Sequence, residues 1–197
     1  MKKAYLIHGT STRDDDWFPW LEQAVVPAIE LERLWLPKPF NPDPDEWQQA
    51  IDDQIPHADG QTGITIVAHS LGCVAALRFV ERHYLKNVNL ILVGAFAQPL
   101  PNYPQLDPLL PELDFKTVSE RLKQATVITA QDDPIAPYQY SVAVANHIGA
   151  KLIVRPTGGH FLSDDGYTEF PLVKTELLKM MKWKSEPEVI YDFWLAF

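Results

Sequence analysis

One cysteine, Cys73, in 197 residues narrows the options at once. No internal disulfide can form and no Cys-x-x-Cys pair offers a zinc site, so the chain suits a reducing compartment. Basic charge is also scarce. Seventeen Lys and Arg stand against 26 Asp and Glu, for a net charge of −9 and a pI near 5.0. Contacts to phosphates or to an anionic membrane surface draw on clustered Lys and Arg. The nearest approach to a cluster, 179–184, falls on an expected amphipathic helix. Neither nucleic acid nor a membrane is therefore an expected partner. Long apolar runs are missing too. The start, Met1-Lys2-Lys3, is followed by an apolar run too short for a signal peptide, and nothing reaches the roughly 18 apolar residues that span a bilayer. The expected location is cytoplasmic.

What remains is ample for a core: 46% hydrophobic and 22% charged residues, with nothing in the length that requires a second domain. The expectation is a single domain over 1–197. Short apolar runs recur at 4–7, 34–36, 64–68, 90–93, 127–130 and 152–154. Most are continuous and rich in β-branched residues, as strands buried on both faces of a parallel sheet read. Between them the pattern predicts helices over 17–29, 44–55, 71–84, 115–124, 138–148 and 169–182. Asp14-Asp15-Asp16 offers N-cap carboxylates to the first and Asp43 to the second. Strand and helix alternate throughout, which argues an α/β layered domain with right-handed crossovers.

One connection is out of scale. The segment 94–114 carries Pro99, Pro101, Pro104, Pro108 and Pro111, which excludes an ordinary helix. A loop this long inside a compact domain is usually functional or mobile. It reads as a small cap beside a site, or as a surface loop stiffened by proline. The end, 185–197, is unusually apolar: Val189, Tyr191, Phe193, Leu195 and Phe197 would share one strand face, to dock on the domain itself or on a second molecule.

Chemistry concentrates where a strand pattern meets a helix pattern. Ala68-His69-Ser70-Leu71-Gly72 places a serine at a strand-to-helix turn so sharp that its neighbours must be small. Ala68 stands where glycine is commoner and adds one methyl group; Gly72, Ala75 and Ala76 keep the helix face small. The NH of Leu71 opens the helix and is a candidate oxyanion donor. A second donor is expected from the loop after the first strand, His8-Gly9-Thr10-Ser11, where Gly9 permits close approach and the Thr10 NH is the candidate.

Serine needs a base, and an imidazole needs a carboxylate to fix its tautomer. Gln131-Asp132-Asp133-Pro134 follows one strand pattern and Gly158-Gly159-His160 the next. Ligands of open α/β sheets bind at the carboxyl ends of strands, where these loops converge. The order Ser70, Asp133, His160 matches that of α/β-hydrolases, and Asp-x-x-x-Pro favours Asp133 over Asp132. His8 and His69 read as structural, while His57, His83 and His147 have no partner pattern. Trp17, Phe18 and Trp20 form either core or an acyl-side wall. Cys73 reads as a small buried group. Asp14-Asp15-Asp16 lacks the six or more oxygens of a calcium loop, so a capping role is expected there.

Taken together, Ile7-His8-Gly9-Thr10, Trp17-Phe18-Pro19-Trp20-Leu21, Ala68 to Cys73, Asp132-Asp133-Pro134 and Gly159-His160-Phe161 resemble the small serine hydrolases of the retinoblastoma-binding-protein-9 type, over about residues 3–182. The resemblance implies a three-layer α/β-hydrolase fold with little lid. Its sheet would be six-stranded and mainly parallel, in the order 2-1-3-4-5-6, with helices on both faces. The triad of that family falls on Ser70, Asp133 and His160. The implied activity is carboxylesterase-like, on small ester, thioester or amide acyl substrates, with no metal or organic cofactor. The expected working form is a monomer or homodimer. The rival is a protein-interaction module that keeps the hydrolase scaffold without turnover, because fold alone does not secure activity.

Overall fold

In a computed structural model, which describes residues 2–110 and 112–181, one six-stranded sheet organises the chain. Its strands are β1 (Lys2–Ile7), β2 (Ile29–Arg33), β3 (Thr65–His69), β4 (Val88–Val93), β5 (Leu122–Ala130) and β6 (Lys151–Arg155), in the order β2-β1-β3-β4-β5-β6. All neighbouring pairs are parallel. The helices are α1 (Phe18–Ala24), α2 (Pro44–Gln54), α3 (Leu71–Arg82), α4 (Phe115–Arg121), α5 (Tyr138–Ile148) and α6 (Pro171–Met180).

Residues alternate between the two faces of the sheet. Ile66 and Ala68 of β3 join the core shared with α2 to α5, whereas Val67 joins the core shared with α1 and α6. The central strands β3 and β4 are buried on both faces, which is why they read as unbroken apolar runs. Among the described residues no helix is long and apolar enough to cross a membrane. The tail at 185–197 lies outside the described residues.

The structure corrects the sequence reading at several places; residues 122–124, read as the end of a helix, open β5 instead. The second strand is not 34–36 but Ile29–Arg33, an edge strand with Ile29 and Leu31 buried and Glu30 exposed. Only two of its five residues are buried, so it does not read as a buried run. Leu34 and Leu36 are buried in the chain leaving it. The first helix ends at Ala24 rather than at 29, because Pro27 lacks an NH and the chain must turn into β2. Finally, the three aspartates do not cap that helix, whose N-cap is Trp17 with no side-chain hydrogen bond. Asp14 pairs instead with Arg33 at 2.6 Å, Asp15 accepts from the Thr12 NH at 2.6 Å, and Asp16 accepts from the Ser163 NH at 2.7 Å. Asp43 does cap α2, accepting from the NH groups of Asp45 and Glu46.

Within 94–114 a short 3-10 helix, Pro104–Leu109, lays Tyr103, Leu106 and Leu109 against the core on the α3 side. The same segment reaches the carboxyl ends of the strands.

Candidate active site

Ser70 is the only residue between β3 and α3, and its backbone shows what that junction costs: φ is 56° and ψ is −129°. A positive φ in a non-glycine residue costs on the order of 1–3 kcal/mol and persists only where its surroundings enforce it. Here the Ser70 NH donates to the Val93 carbonyl at 2.9 Å, and the Cys73 NH donates to the Ser70 carbonyl at 2.9 Å. A Cβ on Gly72 would run into the carbonyl oxygens of Ile7 and His8, so the start of α3 rests directly on the end of β1. A Cβ on Gly9 would lie 2.8 Å from the Ser70 Cβ and 3.3 Å from the Leu71 nitrogen. The steric demand of the elbow therefore falls on Gly72 and Gly9. Ala68, in regular strand paired with Ile7 and Leu92, is fully buried without strain.

Three strand ends meet at this turn. His160 Nε2 lies 2.8 Å from Ser70 Oγ, and His160 Nδ1 lies 2.8 Å from Asp133 Oδ2. With Nδ1–H donating to the carboxylate, the Nε2 lone pair is free to accept the serine proton. The side chains of His160 and Asp133 are 3% and 0% exposed, so water competes little for either bond. Asp133 Oδ1 accepts from the NH groups of Ile135 and Ala136 at 2.8 and 2.9 Å, which fixes the carboxylate's rotation. Gly94, at φ +60°, leaves the imidazole its place: a Cβ there would sit 3.0 Å from His160 Cε1.

The neighbouring carboxylate has a different task. Asp132 Oδ1 accepts from the NH groups of Gly158 and Gly159 at 2.8 and 3.0 Å, tying the β5 end to the loop that carries His160. Asp132 thus meets solvent and at the same time clamps the two strand ends together. A further carboxylate, not singled out from the sequence, completes the clamp. Asp165 Oδ2 accepts from the NH groups of His160 and Leu162 at 2.9 and 3.1 Å. Gly159, at φ +55°, is needed because a Cβ would collide with that carboxylate. The turn signal in Ser163-Asp164-Asp165-Gly166 was the available clue to Asp165.

The other histidines separate cleanly. His69 is buried beside Trp17, Phe18 and His160, and its Nε2–H donates to the His160 carbonyl at 2.8 Å. Burial first, and then the neighbouring His160 ring, push its pKa down to about 3, so it stays neutral. His8 is buried and donates from Nδ1 to the Gly9 carbonyl at 2.9 Å, and burial lowers its pKa as well. His57 packs at a tilt against His83, which pairs with Asp52 at 2.8 Å, and His147 stacks on Phe115; none of the three lines the Ser70 cleft. Trp17 and Phe18 are fully buried core, with the Trp17 indole NH donating to the Phe161 carbonyl at 3.2 Å, and Trp20 packs at the edge of that core. Cys73 is buried, and burial drives its thiol pKa far upward.

Ser70 and His160 face a cleft of about 830 Å³ that is open to solvent. Its lining brings together Thr10, Ser11, Asp16 and Ser163 with Leu100, Tyr103 and Leu106 of the proline-rich segment. Thr10 is exposed there, and the preceding Gly9 lies against the Leu71 nitrogen, whose NH opens α3 and has no acceptor within its own helix. Such a site can take a proton from a hydroxyl, attack an electrophilic carbon and hold an oxyanion.

The chain's likeness to known proteins agrees with this geometry. Residues 4–179 match the family model described as serine hydrolase. A putative hydrolase, YdeN, of Bacillus subtilis (strain 168) is 34% identical over 177 residues, spanning 87% of this chain and 92% of that one. The serine hydrolase RBBP9 of Rattus norvegicus is 24% identical over 182 residues, spanning 89% and 95%. The crystal structure of the B. subtilis ydeN gene product superposes with a TM-score of 0.86, covering 92% of this chain and all of that one.

Proposed function

Because the chain belongs to the serine hydrolase family, we propose that it is a carboxylesterase-like enzyme that cleaves small ester, thioester or amide substrates through an acyl-enzyme on Ser70. The observation that carries this reading is the unbroken hydrogen-bonded series from Asp133 through His160 to Ser70, at 2.8 Å on each side of the imidazole. In the proposed cycle His160 Nε2 takes the Ser70 proton as Oγ bonds to the acyl carbon. The charge on the carbonyl oxygen is held by the NH groups of Leu71 and Thr10. Collapse of the tetrahedral intermediate breaks the bond to the leaving group, which receives the proton from His160. Water then attacks the acyl-enzyme with His160 again as base, and the acid departs. Asp133 stays ionised, orienting the ring and stabilising its charged form. The same proposal includes a cytoplasmic location and a monomer or homodimer as the working form.

Labelling with a fluorophosphonate, read by intact mass, tests it. The wild type takes up one phosphonyl group on Ser70 and turns over p-nitrophenyl acetate; Ser70→Ala takes up none and loses at least about a thousandfold in kcat. A wild-type protein that neither labels nor turns over the ester leaves the interaction-module reading in its place.

A further inference from the structure

The base reaches Ser70 from across the sheet. Ser70 follows β3, whereas His160 is carried by the loop after β6, the edge strand three places away in the order β3-β4-β5-β6. Most hydrogen bonds on that loop do not reach the strand of the nucleophile. Asp132 ties it to the end of β5, Asp165 belongs to the loop itself, and Asp16 ties Ser163 to the loop after β1. Among the described residues, the bond that joins its backbone to β3 is the one from His69 Nε2–H to the His160 carbonyl, at 2.8 Å. His69 ends β3, pairs with Val93 and is followed directly by Ser70. The bond therefore closes a ring. It runs from the Ser70 backbone through His69 to the His160 carbonyl, then through the imidazole back to Ser70 Oγ, with both hydrogen bonds at 2.8 Å. One residue on, the Trp17 indole NH donates to the carbonyl of Phe161, a non-glycine residue at φ +60°. As mere filling, His69 is costly: it is 1% exposed, and its Nδ1 has no hydrogen-bond partner among the described residues. An apolar side chain would pack beside Trp17 and Phe18 without that desolvation cost, so what the imidazole adds is its Nε2–H.

Resting on the hydrolase reading above, we infer that His69 and Trp17 are positioning residues for the reaction. Their ring NH groups hold the consecutive carbonyls of His160 and Phe161, and His69 thereby sets the distance from the imidazole to Ser70 from the nucleophile's own strand. Their task is to keep His160 Nε2 in place while it takes the Ser70 proton, hands it to the leaving group and then takes a proton from water. An imidazole suits the place of His69 because it stays uncharged there: burial first, and then the His160 ring, push its pKa down to about 3, so no second cation stands beside the His160 imidazolium. A displaced base weakens proton transfer in both half-reactions and leaves the substrate-binding surface alone. The loss therefore appears in kcat rather than in KM.

The test uses full-chain variants, assayed on p-nitrophenyl acetate and by the rate of fluorophosphonate labelling, with circular dichroism to show that each is folded. His69→Leu, which fills the space without a donor, is expected to lower kcat at least about tenfold with KM within about threefold, and to slow labelling in parallel. His69→Gln, whose amide can donate to the same carbonyl, is expected to bring kcat back to within about threefold of wild type. Leu177→Ala removes apolar packing from the same core, on α6, and is expected to lose stability while keeping kcat. A folded His69→Leu that loses less than about tenfold overturns the inference and leaves the hydrolase reading standing. So does a His69→Gln as slow as His69→Leu, or an equal loss of kcat in Leu177→Ala. If His69→Leu does not fold, Trp17→Phe decides: a loss of about threefold or more in kcat at unchanged KM bears the inference out, and a smaller loss overturns it. A wild type that neither labels nor turns over the ester removes the hydrolase reading and the positioning role with it.

Discussion

At the scale of single residues, the elbow shows which positions tolerate change. Ala68 departs from the commoner glycine, yet its backbone is ordinary strand and its methyl group fills core between β3 and α3. Removing that methyl group does not relax Ser70, whose strain is held by Gly72, Gly9 and the hydrogen bond to Val93. Ala68→Gly is therefore expected to leave kcat/KM within about threefold while lowering unfolding stability by roughly 1 kcal/mol, through a lost buried methyl and a freer unfolded chain. A large gain in kcat by the same variant would show instead that alanine strains the turn. His69 carries a different prediction. Its pKa falls from 6.5 in the unfolded chain to about 3 in the fold, so between those values the unfolded state binds the extra proton. The stability contributed by a neutral His69 is thus fully present above about pH 6.5 and drains away as pH falls toward about 3, by at most ~1.4 kcal/mol per pH unit. His8 adds in the same direction. Urea denaturation across this window measures the slope. His69→Gln, which keeps a donor toward the His160 carbonyl but cannot titrate, is expected to flatten it, and equal slopes in the two proteins would remove His69 as the cause.

At the scale of elements, the order of strands and helices was legible because β3 and β4 are buried on both faces and announce themselves as apolar runs. The site was legible for a related reason. Ser70, Asp133 and His160 each follow such a run, and a parallel sheet brings the carboxyl ends of its strands together. The edge strand β2 was not legible, since Glu30, Glu32 and Arg33 interrupt it and its apolar residues appear only on one face. Nor were the carboxylates that hold the His160 loop. Asp132 and its partner Gly158 lie 26 residues apart, and only the folded sheet brings them together. That loop depends on two such clamps. Both NH groups held by Asp165 converge on one oxygen, Oδ2, so an amide that keeps a carbonyl oxygen there can still accept them. Asp165→Ala is expected to lower kcat on p-nitrophenyl acetate by at least about tenfold as the imidazole drifts from Ser70, whereas Asp165→Asn recovers most of it. Circular dichroism shows whether each variant keeps the fold. An alanine variant that is folded and fully active would mean that the other clamp, Asp132, suffices to position His160.

At the scale of the whole molecule, the net charge of −9 becomes informative once its position is known. Among the described residues, Asp15, Asp16 and Asp164 line the Ser70 cleft and no Lys or Arg does. Asp16 is partly desolvated and burial raises its pKa, and its second oxygen, Oδ2, has no hydrogen-bond partner among the described residues. A cleft with one sign of charge on low-dielectric walls focuses its field on whatever enters. Asp16 holds the Ser163 NH on the loop that carries His160, so this charge sits beside the imidazole that would protonate the leaving group, and leaving groups are where its field is expected to discriminate. Two isosteric esters, one with a trimethylammonium alcohol and one with a sulfonate alcohol, separate this effect from size. At low ionic strength the cationic ester is expected to show a kcat/KM roughly tenfold higher, carried mainly by faster encounter. The advantage should shrink toward unity near 1 M salt, where the Debye length falls to about 3 Å. An unchanged ratio across that range would place the discrimination in direct contacts instead. A ratio near unity at all salt concentrations would mean that the aspartates serve the loops they brace, through Thr12 and Ser163, and leave the substrate alone.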